Sequence, residues 1–199
     1  MRKVLNFCVA LAFCGFFAVA IKPAHAASYY VAPGQVSAEI RVAGAGEGRP
    51  DLLGQFGTAT GSFDYDAASH VLSRLRVAID GDSLSASNYG SQRELAAMLE
   101  ADAFREISLA SSGRVTLTDG KGEVKGLLTL HGVTKPVTAQ VEVTGGSPDG
   151  GISSQRGGAR MSLKVDVKRG DFGISDDPDE EKKFGSSLTL ALEMQGVRQ

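Results

Sequence analysis

Chemically reactive side chains are few in this sequence, and none is spaced as a known catalytic or metal-binding motif requires. Beyond position 26 there are two histidines, His70 and His131, and each is isolated in the chain. Neither belongs to an H-E-x-x-H pattern, which would place two metal ligands on one face of a helix. No serine lies in a G-x-S-x-G elbow, so a serine-triad enzyme would have to recruit one of these histidines through folding. Catalysis through His70 or His131 is therefore one of three hypotheses.

Groups that bind metals or do thiol chemistry are equally scarce. Both cysteines, Cys8 and Cys14, lie in the first 26 residues. An acidic run at residues 176–181 offers carboxylates, but it lacks the regular ligand spacing of a calcium loop. We interpret this run as a solvated loop, and we expect neither a bound metal nor a cofactor.

The first 26 residues have the layout of a secretory signal peptide. Arg2 and Lys3 precede an almost unbroken apolar run at residues 4–21, and an A-x-A cleavage site follows at residues 24–26. A membrane anchor is the alternative, because the apolar run is close to the length that spans a bilayer. We predict cleavage after Ala26, release into the periplasm, and one folded domain at residues 27–199 with no membrane span.

Removal of this leader changes the composition of the protein. The whole chain has a formal charge of −2, and the leader takes away Arg2, Lys3 and Lys22 but no acid, which leaves −5. Nothing in this balance favours nucleic acid or an anionic membrane surface, both of which attract clustered Lys and Arg. The mature domain also has no cysteine, so no disulfide can stabilise it. We expect no nucleic-acid partner and a fold that depends on its apolar core.

Most of the mature chain alternates apolar and polar residues, which is typical of strands with one buried face. The apolar positions of the six clearest runs are 36, 38, 40 and 42; 71, 75, 77 and 79; 124, 126, 128 and 130; 137, 139, 141 and 143; 159, 161, 163, 165 and 167; and 188, 190, 192 and 194. With further runs at 28–31, 55–65 and 107–117, about eight strands with short connections are predicted. This pattern suits a closed antiparallel barrel or a sandwich.

One segment has helical rather than strand periodicity. Ser91 and Glu94 form a capping-box pattern, and Leu95, Met98 and Leu99 share one helical face. We predict a helix at residues 92–104. Its apolar face must cover something apolar, and periodicity leaves two positions open: across the mouth of a barrel, or on the outside of the sheet.

Three stretches carry a resemblance to a known family. The most specific is GLLTLHGVTKPV at residues 126–137, and GQFG at 54–57 and RGDFGI at 169–174 support it in register. Together they resemble the YceI-like family of exported proteins that bind polyisoprenoids or related long-chain amphiphiles. The resemblance implies an all-β fold, an eight-stranded antiparallel lipocalin-like barrel with one helix near the barrel mouth. One departure is that the family's His-Ser pair near the start of the domain is absent here, where residues 33–35 read PGQ.

The resemblance also implies a function. It predicts a non-enzymatic periplasmic carrier that holds a polyisoprenoid or similar long-chain lipid in its interior, and we allow for a homodimer. The apolar side chains expected to line the cavity and the covering helix are Phe56, Leu75, Val77, Ile79, Leu95, Met98, Leu99, Leu128, Leu130, Met161, Leu163, Val165 and Phe172. The competing hypothesis is an exported stress-response or interaction protein whose barrel is filled by its own side chains and holds no ligand. Eight strands make a barrel of the size at which either outcome occurs.

Overall fold

The structure is a computed structural model that describes residues 26–46, 48–145, 158–174 and 182–199. Residues 1–25 of the proposed leader and the acidic run at 176–181 lie outside the described residues. The described strands are β1 (Ala27–Val31), β2 (Val36–Gly44), β3 (Leu52–Phe56), β4 (Ala59–Asp66), β5 (Val71–Asp80), β6 (Leu84–Ala86), β7 (Glu106–Ser111), β8 (Val115–Thr116), β9 (Lys121–Leu130), β10 (Val133–Gly145), β11 (Gly158–Lys168) and β12 (Phe184–Arg198). One α-helix, α1 (Tyr89–Leu99), and two 3-10 turns, Gly81–Ser83 and Arg169–Phe172, complete the described elements.

The strands close into a ring. The order β1-β4-β5-β7-β9-β10-β11-β12 is antiparallel throughout, and β12 pairs back onto β1 through Tyr29 with Arg198 and Tyr30 with Val197. Three of the eight barrel positions are each occupied by two successive strands: β1 with β2, β3 with β4, and β5 with β6. The protein is therefore a closed eight-stranded antiparallel barrel, as predicted, and a sandwich is excluded. Closure leaves no long free edge along the ring of described strands.

Burial alternates along the strands, and the buried positions form the core. In β11, for example, Ala159, Met161, Leu163 and Val165 are buried while their neighbours are half-buried or exposed. One strand departs from the sequence prediction. In β5 it is Leu72, not Val71, that shares the inward face with Tyr65, because the pairing slips between Ser62 and Asp64.

The cause of this slip is a bulge at Arg74, whose φ is +50°. The extra residue moves the preceding part of the strand to the opposite parity. Leu75, Val77 and Ile79, beyond the bulge, face inward as predicted.

The two ends of the barrel differ in what covers them. The helix end contains the connections at 45–51, 81–105, 131–132 and 169–183, as far as the structure describes them, and therefore carries α1 and the turn Arg169–Phe172. The opposite end contains the chain start at Ala27 and the turns at 67–70 and 112–120.

The helix α1 lies over the mouth of the barrel. It packs on β3 and β6, and a Cβ built on Gly54 would lie 2.8 Å from Leu95 Cδ1. Gly54 shares its face with Leu52 and Phe56, which point inward, and it pairs with buried Ile40. Because Leu95 of the helix reaches the inward-facing Gly54, the helix covers the end of the barrel and does not lie on the outside of the sheet.

The helix bounds differ from the predicted 92–104. The helix begins at Tyr89 because Asn88, not Ser91, is its N-cap, with Asn88 Oδ1 accepting from Ser91 N at 2.8 Å. It ends at Leu99 because Glu100 takes the left-handed conformation, with φ of +43°. Its apolar face of Leu95, Met98 and Leu99 is buried as expected.

Candidate ligand-binding site

The structure brings all thirteen predicted cavity residues into one buried cluster. Each keeps at most 6% of its surface exposed, and each belongs to the same hydrophobic core. They come from β3 (Phe56), β5 (Leu75, Val77, Ile79), α1 (Leu95, Met98, Leu99), β9 (Leu128, Leu130), β11 (Met161, Leu163, Val165) and the turn after β11 (Phe172). The helix and turn members lie at the helix end, and the strand members line the wall.

The wall also contains residues that the sequence prediction left out. Leu109 in β7 lies between Val77 and Leu128 in the strand register and is buried with them. The inward positions of β2, β10 and β12 likewise supply Ile40, Val42, Val141, Val143, Leu190 and Leu192. The same period-two signal marks these positions, so they could have been included from the sequence.

A stacked aromatic pair narrows the interior near the opposite end. The rings of Tyr29 and Phe63 have centroids 5.1 Å apart and planes 17° apart. Gly196 makes room for them, because a Cβ there would lie 2.9 Å from Tyr29 Cβ and 3.1 Å from Phe63 Cε1. Burial raises the pKa of the Tyr29 phenol, and the nearby Arg198 opposes part of that rise. Nothing in the spacing of the sequence signals this pair, since three strands meet to form it.

Polar groups at the opposite end are partly buried as well. Tyr65 and His70 form a hydrogen bond between the phenol oxygen and Nδ1 at 3.2 Å. Burial raises the pKa of Tyr65, and the Tyr29 phenol and the Asp66 carboxylate add to the effect. A neutral phenol at this position suits an apolar interior.

His131 lies at the helix end and makes a long-range contact. Its ring packs against Phe104, with centroids 4.3 Å apart. Its Nδ1 donates to Phe172 O at 3.1 Å. This hydrogen bond ties the β9–β10 hairpin to the turn Arg169–Phe172.

The geometry does not bring the two histidines together. His70 lies in the connection at the opposite end of the barrel, whereas His131 lies at the helix end. Among the described residues, no group of three His, Cys, Asp or Glu side chains is arranged to hold a metal ion. Within the same part of the chain, none of the helices has both the length and the apolar character needed to cross a bilayer.

The interior is closely filled. The largest inward side chains are almost fully buried; for example, Leu75 and Leu128 keep 1% of their surface exposed and Met161 keeps 0%. Side chains packed to this degree leave few voids larger than a water molecule along the wall they form. A long ligand would therefore have to move side chains, or a covering element, to enter.

The architecture is that of lipocalin-like barrels: a closed antiparallel barrel of eight strands, lined by apolar side chains and covered at one end by a helix.

Comparison with known protein families gives a more specific assignment than the fold does. A model of the YceI-like domain matches residues 29–196, and the chain belongs to the YceI-like family. Similar proteins include a UPF0312 protein of Vibrio vulnificus (strain YJ016), 31% identical over 76% of this chain and 79% of that protein. A UPF0312 protein of Vibrio cholerae (strain El Tor Inaba N16961) is 30% identical over 74% of this chain and 75% of that protein.

Solved structures share the fold. BcnA of Burkholderia cenocepacia superimposes with a TM-score of 0.67 at 16% identity, covering 83% of this chain and 98% of that chain. A YceI protein of Campylobacter jejuni gives 0.62 at 22% identity, over 75% and 86%. A domain from Saccharophagus degradans, described as polyisoprenoid binding and implicated in plant cell wall breakdown, gives 0.58 at 12% identity, over 88% and 100%.

Proposed function

We propose that this chain is an exported binding protein that holds a polyisoprenoid or similar long-chain amphiphile in the barrel interior and carries it through the periplasm. The observation that carries the proposal is the chemistry of the interior wall. Three polar or charged residues are buried among the described ones. Asp64 and Ser73 lie on the outward face beside the Arg74 bulge, and Arg169 lies in a turn. The buried inward strand positions therefore carry apolar side chains, apart from the phenol oxygens of Tyr29 and Tyr65 near the opposite end. The Saccharophagus degradans domain shares this barrel.

The energetics fit a ligand that is itself almost entirely apolar. Each buried CH₂ group contributes about 0.8 kcal/mol, so covering part of a long prenyl chain gives useful affinity without polar contacts. Complete enclosure would approach the practical limit of about −18 to −21 kcal/mol and would prevent release. A carrier therefore needs an element that moves, and α1 over the barrel mouth is our candidate. Binding of this kind uses no catalytic group, so neither histidine has a chemical role in it.

A filled barrel that acts as a stress-response or interaction protein is the second candidate, and the close packing of the interior favours it. The two candidates differ in how they respond to added volume. Ala139 is fully buried on the inward face of β10, and Gln140 beside it is exposed. In a filled barrel Ala139→Leu costs about 1–3 kcal/mol through overpacking. In a barrel that opens for a ligand, the same change costs less and instead displaces the bound chain.

The test is to purify the protein from its own periplasm and to analyse it by native mass spectrometry and organic extraction. We expect a co-purifying prenyl lipid, less of it in Ala139→Leu, and an unchanged amount in the matched outward variant Gln140→Leu. The same sample reports the export step, because N-terminal sequencing should begin at Ala27. The carrier proposal would be refuted if no lipid is recovered and the protein does not retain an added polyprenyl alcohol.

A further inference from the structure

The outward face of the barrel carries a polar cleft that the binding of an apolar chain does not use. The cleft lies at the end opposite α1, beside the Arg74 bulge, and has a volume of about 640 Å³. Small-molecule sites commonly have volumes of about 300–1,000 Å³, but most of them are lined by apolar and aromatic side chains. Here nine of the fourteen lining residues are polar or charged, and none is aromatic. A molecule that fits this cleft must therefore be polar or charged.

The cleft exists because β5 and β7 separate beside the bulge. The two strands pair as far as Arg76 with Ala110, and β5 pairs again only at Leu72, where it meets Val115 of β8. Residues 111–114 take no part in the pairing with β5, and they form one wall of the cleft. Bulges are common beside functional sites, where they redirect side chains or end the pairing of strands.

Side-chain hydrogen bonds fix this wall. Ser111 Oγ accepts from Leu75 N at 3.0 Å and so replaces the carbonyl that a continued ladder would supply. A hydroxyl that accepts a hydrogen bond keeps its own hydrogen, so Ser111 can still donate to a molecule in the cleft. Ser112 N and Ser112 Oγ each donate to Lys125 O at 2.9 Å, which ties the segment to β9. The wall is therefore preformed.

The charges of the cleft do not cancel. Three arginines and two aspartates line it, which gives a formal charge of +1. Asp64, whose side chain keeps 9% of its surface exposed, pairs with Arg74 Nε, and Asp66 accepts hydrogen bonds from the turn that follows β4. The ion pairs formed among the described residues include neither Arg76 nor Arg114. These two guanidinium groups are therefore available to an anion.

Removal of the leader would add another cation. Ala26 lines the cleft, so cleavage after this residue, as we predict, would leave the α-amino group of Ala27 at its edge. An α-amino group is mostly protonated at pH 7. The mature chain as a whole carries a formal charge of −5, so the positive cleft is a local feature and not a consequence of composition.

We propose that this cleft binds a phosphate monoester, with the guanidinium groups of Arg76 and Arg114 as charged donors and the Ser111 hydroxyl as a neutral donor. A phosphate monoester carries a charge of about −1.5 to −2 at pH 7 and has three strong acceptor oxygens, which matches two cations and a hydroxyl. A carboxylate has half that charge and one oxygen fewer. The planar guanidinium group also fits the geometry of phosphate oxygens. The site lies outside the barrel and goes beyond the proposed function, because it does not depend on a ligand in the interior.

The experiment compares glycerol 3-phosphate with glycerol, which lacks only the phosphate. The mature protein is titrated with each compound by isothermal titration calorimetry, and we expect binding of the phosphate alone. A hydrogen bond to a charged group contributes about 10-fold or more to affinity, so Arg76→Gln and Arg114→Gln should each weaken binding by at least about 10-fold. Arg160→Gln is the matched control, because it removes another exposed, outward arginine from β11, four strands around the ring from β5. It should leave the affinity within about twofold.

A second arm identifies the source of the phosphate. Phosphatidylcholine vesicles with and without phosphatidic acid present the same phosphate monoester on a lipid surface, and sedimentation measures the bound protein. Binding of glycerol 3-phosphate assigns the site to a soluble phosphate monoester. Binding only to the vesicles with phosphatidic acid, weakened in Arg76→Gln and Arg114→Gln but not in Arg160→Gln, assigns it to a phosphate held at a membrane.

Two results overturn the site: binding in neither arm, or an equal loss of affinity in all three arginine variants, which would reflect general attraction between charges. Retention of a prenyl alcohol by the same variants tests the carrier function separately, so the two proposals can fail independently. If a variant does not fold, the wild-type protein still decides. The NMR amide signals of residues 111–114 should shift with glycerol 3-phosphate and not with glycerol, and the absence of that difference refutes a soluble ligand at this site.

Discussion

The contact between Gly54 and the covering helix can be tested with one methyl group. A Cβ at position 54 would lie 2.8 Å from Leu84 Cδ1 and from Leu95 Cδ1, and 3.1 Å from Ile40 Cγ2. Carbon atoms prefer about 3.5–4.0 Å, so three neighbours would have to move. Overpacking of this kind costs about 1–3 kcal/mol, and the loss of glycine freedom in the unfolded chain returns about 0.4–1 kcal/mol. We therefore expect Gly54→Ala to lower the free energy of unfolding by about 0.5–2 kcal/mol.

Gly57 provides the matched control three residues along the chain. A Cβ there would meet Ser83 O at 3.6 Å, an ordinary contact. The overpacking cost is absent, and Gly57→Ala should raise the free energy of unfolding by about 0.4–1 kcal/mol. Urea unfolding followed by far-UV circular dichroism measures both variants. Tryptophan fluorescence cannot be used, because the chain has no tryptophan.

The larger change Gly54→Val should act on α1 itself. Its extra methyl groups press on Leu95, so amide hydrogen exchange should speed up in α1 and stay unchanged in β11, which lies elsewhere in the barrel. If α1 is the element that moves for a ligand, the same variant should also bind and release a prenyl alcohol faster. Equal stability of Gly54→Ala and Gly57→Ala, with unchanged exchange in Gly54→Val, would refute the packing of α1 on Gly54.

Two further predictions concern single side chains. Leu95→Ala, at 0% exposure, should cost about 2–5 kcal/mol in urea unfolding, whereas Tyr89→Ala on the same helix, at 76% exposure, should stay within about 0.5 kcal/mol. The Gly44 amide and the Arg41 guanidinium both hydrogen-bond Asp51 and lower the pKa of its carboxyl. Because the pKa of Asp51 is lower in the folded than in the unfolded protein, the ionised carboxylate stabilises the fold at pH values above its unfolded-state pKa. This contribution is lost as the pH falls through the folded-state pKa. Asp51→Asn should therefore lower the urea midpoint at pH 7, and its difference from the wild type should shrink as the pH falls below the ordinary range of an aspartate carboxyl. A difference that stays constant with pH would contradict the assignment.

The alternation of apolar residues predicted most of the barrel, because a period of two assigns a face to every residue once one is known. It failed in β5, where Val71 was expected to face inward and Leu72 does so instead. The bulge responsible has a non-glycine residue, Arg74, at positive φ. Such positions usually carry Gly, Asn or Asp, so the sequence contains no signal for this one.

The helix shows the same kind of limit. Asn88 and Ser91 are both good N-cap residues, and local pattern alone cannot choose between them. The C-terminal end is set by Glu100 in the left-handed conformation, a position at which Gly or Asn would have been the expected signal. Amphipathic spacing nevertheless identified the buried face correctly, because Leu95, Met98 and Leu99 lie on one side of any helix that contains them.

The burial of Arg169 was hidden from the sequence for a different reason. Arginine is almost never fully buried unless it is paired, so composition places Arg169 on the surface. Its burial follows from the turn that β11 runs into, which directs the side chain toward the carbonyls of Phe184 and Gly185. Only the three-dimensional path of β11 and β12 brings these groups together.

The covering elements differ in how firmly they are attached, and this difference bears on how a ligand would enter a closely packed barrel. The turn Arg169–Phe172 packs on β10, β11 and β12 and is also tied to His131, so it is connected to four of the eight barrel strands. In contrast, α1 packs mainly on β3 and β6, which lie at one side of the mouth. On the proposed function, α1, which packs on strands at one side of the mouth, is therefore the part that we expect to move when a ligand enters.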